Sequence, residues 1–469
     1  MSTAESVAVL GGDALEQLRG EFRGQILEPE DTDYDDARHV FNAMFADRRP
    51  RVILRPAGAA DVIRAIGLAT MSGLPLAIRG GGHSVAGFST CDGGIVLDMR
   101  AMKGIRVDPE RRTVRAQPGL TWGELDPETQ AFGLAVTGGR VTTTGIVGFT
   151  LGTGSGWLER KLGFACDNLV RADVVTAAGE LVTASEDENA ELLWGLRGGG
   201  GNFGVVTELE YRLAPVGPLT YGGIMLFPPS QAAEVVRTWR DIGSSSPEEL
   251  GWGAAFITAP PEEFVPEEWR LKKMCGVAGM YAGGAEDAER LLQPLRALSP
   301  VLDLWQPMPY TVAQGLVDPG NPFGRQNYWR AQNLRDLDDS VIDTFIETGT
   351  SAPSPFSATL LVNAGGAIAR VGEDETAVSG RSAPFSLHVN GMWEDPEATE
   401  ENIAWVRRAS SALAPHIAPG ISLNFATEVG EADLRESFGA AKIARLRALK
   451  DRYDPGNLFR LNQNIKPTQ

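Results

Sequence analysis

Where its glycines fall constrains this chain more than any other feature. The 55 glycines concentrate at 80–82, 138–156 and 198–204, each run wedged between stretches with the periodicity of regular elements. Consecutive glycines are costly in backbone entropy, and they suit tight turns and close backbone approach. Three such runs therefore predict three places where bare backbone meets a ligand or another segment. No fixed period relates them, which excludes solenoids and propellers.

The first run reads Arg79-Gly80-Gly81-Gly82-His83-Ser84. Successive glycine N–H groups in a turn form a concavity suited to phosphate oxygens, and a histidine stands at its edge. A plain surface turn does not need three glycines in succession, so these residues favour a ligand role. The last run, 199–204, spells Gly-Gly-Gly-Asn-Phe-Gly and satisfies GxGxxG literally. That fingerprint must follow a strand and open a helix. Here a helix-like stretch, 188–194, precedes it and a strand-like stretch, 205–211, follows, which disfavours a nicotinamide-type Rossmann domain. Neither GxxxxGK[ST] nor GxSxG occurs, removing P-loop NTPases and α/β-hydrolases. The middle run, 138–157, alternates small residues with hydroxyls and suits a loop lying against a large planar ligand. As a surface linker it would expose Ile146, Val147, Phe149 and Leu151.

Between these runs the pattern predicts a helical lead-in over 31–48, a strand at 51–55 and a helix over 59–72 with Val62, Ile63, Ile66 and Ala69 on one face. Strands are expected at 76–78, 94–98, 113–117 and 169–176, and a helix at 122–132. After 211–218 the texture changes. As far as Leu423, strand-like runs (220–226, 275–281, 359–363, 386–392) mix with amphipathic helices (231–242, 285–298, 339–347, 400–413), an α+β pattern that reads as a second domain. A helix is expected again at 431–451.

A chain of 469 residues should hold two or three packed units. Its 43% hydrophobic and 22% charged residues permit a large core. A net charge of -18 argues against nucleic acid, which is bound through basic surface. No run approaches the ~20 apolar residues of a membrane span, and the amino terminus lacks a leader pattern. A cytoplasmic protein without membrane contact is expected. Cys91, Cys166 and Cys275 have no CxxC spacing, so no disulfide framework is expected. The four histidines lie far apart, so no metal site is expected. Nothing in the sequence specifies an oligomeric state.

Taken together, the motifs resemble the berberine-bridge-enzyme-like branch of the vanillyl-alcohol-oxidase flavoproteins. The resemblance is carried by 79–84, by Cys91-Asp-Gly-Gly94, by 138–157, by Arg160-Lys-Leu-Gly-Phe-Ala-Cys-Asp-Asn-Leu169 and by 193–207. The tail Arg452-Tyr-Asp-Pro-Gly-Asn-Leu-Phe-Arg-Leu-Asn-Gln-Asn-Ile465 is especially specific. The motifs come in the family's order over roughly residues 31 to 467.

The resemblance implies a two-domain α+β fold of the PCMH type. Residues 1–213 (core about 47–213) and 424–469 would form the FAD domain, and 214–423 a substrate domain whose antiparallel sheet, flanked by helices, roofs the flavin. His83 corresponds to the histidine that bonds the flavin 8α-methyl carbon. Some relatives add a cysteinyl link at the position of Val141, so a single link is implied, and Cys166 reads as an ordinary buried thiol. Gly80, Gly81, Gly82 and Ser84 would contact the pyrophosphate, with Arg79 and Gly139 in the same cofactor set. Thr143, Thr144, Gly145, Gly148, Gly152 and Gly154 would line the flavin. Gly204 and Val206 would approach the adenosine half, and Asn462 and Asn464 would reach the ring from the tail. Thr153 and Ser155 depart from the glycine or apolar residues of many relatives.

By the same resemblance, the chain would oxidise a small organic substrate by hydride transfer to covalent FAD, with O2 reoxidising the flavin to give H2O2. An alcohol, amine or ketone-type secondary metabolite, polyketide-like compounds included, is the leading substrate class. A carbohydrate hemiacetal oxidase, a dehydrogenase using another acceptor and a catalytically silent flavin-binding protein are the alternatives. Such oxidation needs a group to receive the heteroatom proton. Relatives often place a tyrosine two residues before the asparagine corresponding to Asn424, where this chain has Ser422. The catalytic candidates are therefore His388, Asn390, Asn424 and Tyr328. Alternation puts His388, Asn390 and Met392 on one strand face, and His388 has the ordinary pKa nearest neutrality. A structural histidine is the plain alternative. Trp329 and Trp393 read as packing residues.

Overall fold

The computed structural model describes residues 12–420 and 422–468; the amino-terminal stretch read above for a leader lies outside them. The chain first builds a small sheet in the order Gln25–Leu27, Val52–Arg55, Ile95–Asp98, Leu76–Arg79, its last three strands parallel. Parallel strands need a crossover, and the helix Ala59–Ser72 supplies it. Val62, Ala65, Ile66 and Ala69 are buried on one face, and Gly73, left-handed at φ 66°, donates back to the Ala69 carbonyl to end the helix. Because Arg79 ends the strand Leu76–Arg79, the run 80–82 leaves a rigid edge.

A second, antiparallel sheet follows in the order Ile105–Asp108, Thr113–Ala116, Val205–Arg212, Leu169–Val175, Leu181–Ser185. Against it packs the long carboxy-terminal helix Glu431–Tyr453, which is interrupted at Gly439. Leu434, Phe438, Leu446 and Leu449 of that helix share a core with Leu192, Trp194 and Phe203. The tail is pinned by Lys450, fully buried, whose Nζ donates to Asp454 and to the Asn202 and Phe459 carbonyls.

The middle of the chain forms one large antiparallel sheet. Its long strands run in the order Leu219–Phe227, Lys273–Tyr281, Leu250–Thr258, Ala358–Asn363, Phe385–Trp393, Gln326–Leu334, with Leu302–Asp303 on the outer edge. Strand alternation gives this sheet two different faces. Met225, Trp252, Phe256, Val277, Leu361, Leu387 and Val389 point to the helices Ala232–Ser245, Ala285–Arg296, Asp339–Thr350 and Thr399–Ala412 and form the main core. Ile224, Ala255, Ala278, Leu360, His388 and Asn390 point the other way, into a cavity. Among the described residues no helix is long and apolar enough to cross a membrane.

The middle glycine run differs from its sequence reading. Ile146–Gly152 is a helix rather than a loop. Burial of Ile146, Phe149 and Leu151 overrides the low helix propensity of its glycines.

Candidate active site

One cavity of about 1100 Å3 runs from the glycine runs to the open face of the large sheet. Pockets for single small molecules span roughly 300–1,000 Å3, so there is room for more than one group. The 80–82 turn and the 138–156 run meet here. The backbones of Gly81 and Gly145 cross so closely that a Cβ on either would overlap the other. That crossing fixes His83. Its ring stacks on Phe41 at 4.3 Å, meets Phe323 edge-on at 5.0 Å and holds Nε2 2.8 Å from Thr143 Oγ1. The half-buried ring lines the cavity, and desolvation by the surrounding protein pushes its pKa down to about 3. His83 is therefore a neutral imidazole.

Most of the expected cofactor residues line this cavity. Gly80, Gly81, Gly82, His83 and Ser84 do so at one end, with Gly139, Thr144, Gly145, Gly148 and Gly152 along the wall. Gly204, Val206 and Asn462 line it from the other side. Four expected residues sit apart. Arg79 is fully buried beneath the turn and donates to the carbonyls of Ser89, Arg38 and Ala37. It braces the loop from behind rather than facing a ligand. Gly154, at φ 89°, is packed against Ala165, and Thr143 turns to His83 and to a small side cavity. Asn464 does not line the main cavity, although its Oδ1 is buried without a partner.

These surroundings fit a flavin dinucleotide. Gly148 and Gly201 have no atom within 4 Å of where a Cβ would stand, so side chains there would occupy the cavity itself. The Oδ1 atoms of Asn462 and Asn464 are buried with no protein partner, an arrangement that calls for a ligand donor.

The catalytic candidates divide. His388 and Asn390 project from Phe385–Trp393 into the cavity. His388 is 5% exposed, lies edge-on to Phe425 at 4.5 Å and has Nε2 3.2 Å from Ser386 Oγ. Burial, with the Arg140 charge adding to it, pushes its pKa down to about 3. The near-neutral pKa expected from composition does not hold at this position, and His388 is a weak proton acceptor. Asn390 Oδ1 is buried and unpartnered, an acceptor facing the cavity.

Asn424 stands in the turn Leu423–Phe425. Its Oδ1 accepts from Thr153 Oγ1 (2.9 Å) and from the Gly154 N–H (3.2 Å), and its Nδ2 donates to the Gly148 carbonyl (3.1 Å). The amide is committed to holding the glycine run in place. Thr153 and Ser422, both noted as departures, are part of the same cluster at 3.2 Å.

Tyr328 is a correction. It lies on the strand Gln326–Leu334 and faces the helix-side core, donating to Glu428 Oε2 at 2.6 Å and accepting from Arg407 Nε at 3.2 Å. Its neighbour Trp329 lines the cavity instead. Sequence reasoning also missed Arg140, which lines the cavity, donates to Ser155 Oγ (3.1 Å) and Glu159 Oε1 (3.1 Å) and leaves its buried Nε unpartnered. Its position as the only charge in the run 138–157 was the available signal.

A glycine-lined dinucleotide cradle opening onto an apolar sheet is the layout of an FAD-linked oxidoreductase, and known proteins agree. A family model described as FAD binding domain matches residues 50–185, and one described as berberine and berberine like matches residues 431–466. An FAD-linked oxidoreductase of Dictyostelium discoideum is 30% identical over 425 residues, 90% of this chain and 89% of that protein. The (R)-6-hydroxynicotine oxidase of Paenarthrobacter nicotinovorans is 31% identical over 458 residues, 95% of this chain and 97% of that protein. The crystal structure of 6-hydroxy-D-nicotine oxidase from Arthrobacter nicotinovorans superposes with a TM-score of 0.84 at 27% identity, covering 95% of this chain and 98% of that one. The chain belongs to the berberine-like family of FAD-linked oxidoreductases.

Proposed function

We propose that this enzyme is an oxidase carrying FAD covalently on His83 alone, and that it oxidises a neutral, largely apolar alcohol, amine or ketone-type metabolite. The observation that carries the reading is the continuity of the cavity, which joins the His83 turn to the face bearing His388 and Asn390. When bound, FAD supplies a two-electron acceptor at this wall, which O2 re-oxidises with release of H2O2.

The residues have separate tasks. In the tautomer whose Nε2–H donates to Thr143 Oγ1, His83 keeps its Nδ1 lone pair free for the link, and its low pKa keeps that lone pair unprotonated. Val141, in the cavity wall, offers no thiol for a second bond. Asn390 Oδ1 accepts a hydrogen bond from the substrate hydroxyl or amine and orients it. The floor beyond is apolar, with Ile224, Leu226, Ile257, Leu360 and Leu304. A sugar would leave most of its hydroxyls unpaired there, at a cost for each, which disfavours the carbohydrate alternative.

Intact-mass measurement of denatured protein should show one FAD adduct, absent in His83→Ala. Anaerobic substrate should bleach the flavin, and readmitted air should restore the colour with one H2O2 per turnover. Flavin lost on denaturation of the wild type refutes the covalent link. Bleaching without H2O2 on reoxidation makes the enzyme a dehydrogenase.

A further inference from the structure

The floor of the cavity carries a trough whose position and chemistry follow from strand register. One cross-strand row reads Leu226, Gly276, Ala255, Leu360, His388. The adjacent row on the same face reads Ile224, Ala278, Gly253, Val362, Ser386. The first row is bulky at both ends and the second at Ile224 and Val362, while both are reduced to glycine and alanine on the two central strands, Leu250–Thr258 and Lys273–Tyr281. The floor is therefore sunk over two strands and rises again at Ile224 and Leu226, whose side chains lean over Gly276. His388 lies four strands from Leu226, roughly 19 Å at ~4.8 Å per strand.

The sides and roof are apolar as well. Leu302 and Leu304 close the outer edge, and Ala259, Pro260, Pro261 and Phe264 cover the trough from the loop that follows Leu250–Thr258. Phe264 and Leu271 are 52% and 68% exposed at its lip. Among the described residues, the only polar side chains lining this arm are Thr258 and Glu262. Apart from these two, hydrogen-bonding side chains such as Asn390, His388 and Arg140 lie at the other end. A ligand that fills both ends must be polar at one end and hydrocarbon at the other.

We propose that the substrate carries an extended hydrocarbon tail, alkyl or prenyl-like, seated in this trough while its oxidisable head meets Asn390. The assignment rests on the oxidase reading only for which end reacts; binding of the tail is independent of turnover. It predicts selectivity by chain length, and the small residues Gly253, Ala255 and Ala278 set the permitted length.

The test is binding of n-alkanols from butanol to decanol to purified holoenzyme, read by shifts in the flavin spectrum and by quenching of tryptophan fluorescence. Affinity should rise about fourfold per methylene, the ratio corresponding to roughly 0.8 kcal/mol per buried CH2. Ala278→Phe should fill the trough, bind butanol as the wild type does and lose the gain for the longer members. Ile224→Asn is a second variant at the far wall and should weaken only the long alkanols. A chain-length series that is flat in wild type, or equally steep in both variants, overturns the proposal. Protein without bound flavin would defeat the oxidase reading instead, and fluorescence would still decide on the tail.

Discussion

If the buried imidazole of His388 is held near pKa 3, its titration should be missing from the range where free histidine titrates. An ordinary histidine has a pKa of about 6.5. Burial and the Arg140 charge lower the folded value to about 3, so at pH 5 the unfolded chain binds nearly one proton at this site and the folded chain none. Stability rises with pH wherever the unfolded state binds more protons. The depressed value is therefore a penalty, absent above about pH 7, that grows as pH falls through 6.5 and levels off near pH 3. Between pH 7 and pH 5 it amounts to about 2 kcal/mol from this one residue. His388→Asn removes it, so the variant should gain stability relative to wild type by about that amount at pH 5 and by almost nothing at pH 7. Only four histidines are present, so selective 13C labelling and four single variants assign every ring signal. The His388 resonance should stay unshifted from pH 8 to pH 4, and the pH profile of flavin reduction should show no limb due to this residue. A midpoint near 6.5, together with an acidic limb in wild type that His388→Asn abolishes, would refute the reasoning and restore His388 as the base.

Two further outcomes follow from side-chain placement. Tyr328→Phe removes hydrogen bonds to an exposed Arg407–Glu428 pair on the helix side, so stability should fall by about 1 kcal/mol. Its flavin content and reduction rate should match wild type, and a large loss of rate would return Tyr328 to the catalytic set. Lys450→Met leaves Asp454 buried without its cation, and removing one partner of such a pair costs about 3–5 kcal/mol. Because Lys450 also holds the Asn202 carbonyl beside Gly200 and Gly201, the variant should release the tail, with a lower thermal midpoint and less FAD incorporated during folding. An unchanged midpoint would show that the tail is held by other contacts.

What the sequence made legible was what physics encodes locally. Glycine runs marked where backbone must approach closely, and at Gly81 and Gly145 it does. Period-two alternation placed His388, Asn390 and Met392 on one face without any knowledge of the neighbouring strands. Orientation across the chain was not legible. Tyr328 and Trp329 are adjacent, and a shift of one residue in the register of their strand exchanges which of them faces the cavity. That register is set by pairing with Phe385–Trp393, some sixty residues away, and no local pattern announces it. Arg79 was misplaced for a related reason. A strand-ending arginine beside a phosphate-like turn has the composition of a ligand residue, and only the fold reveals that three backbone carbonyls surround its guanidinium.

A catalytic base is harder to read from sequence than a point of cofactor attachment. The proposed attachment at His83 needs reach and a free lone pair, and the glycine turn presents the ring while Phe41, Phe323 and Thr143 hold it. A base needs a pKa, which is set by everything that excludes water from it. Around His388 that means Phe425 from the carboxy-terminal segment, Arg140 from the middle glycine run and the rest of the cavity lining. One sheet thus puts Leu387 and Val389 in the core and His388 in the cavity. Substitutions on the cavity face should therefore alter substrate choice with little effect on the main core, whereas those one residue away should do the reverse.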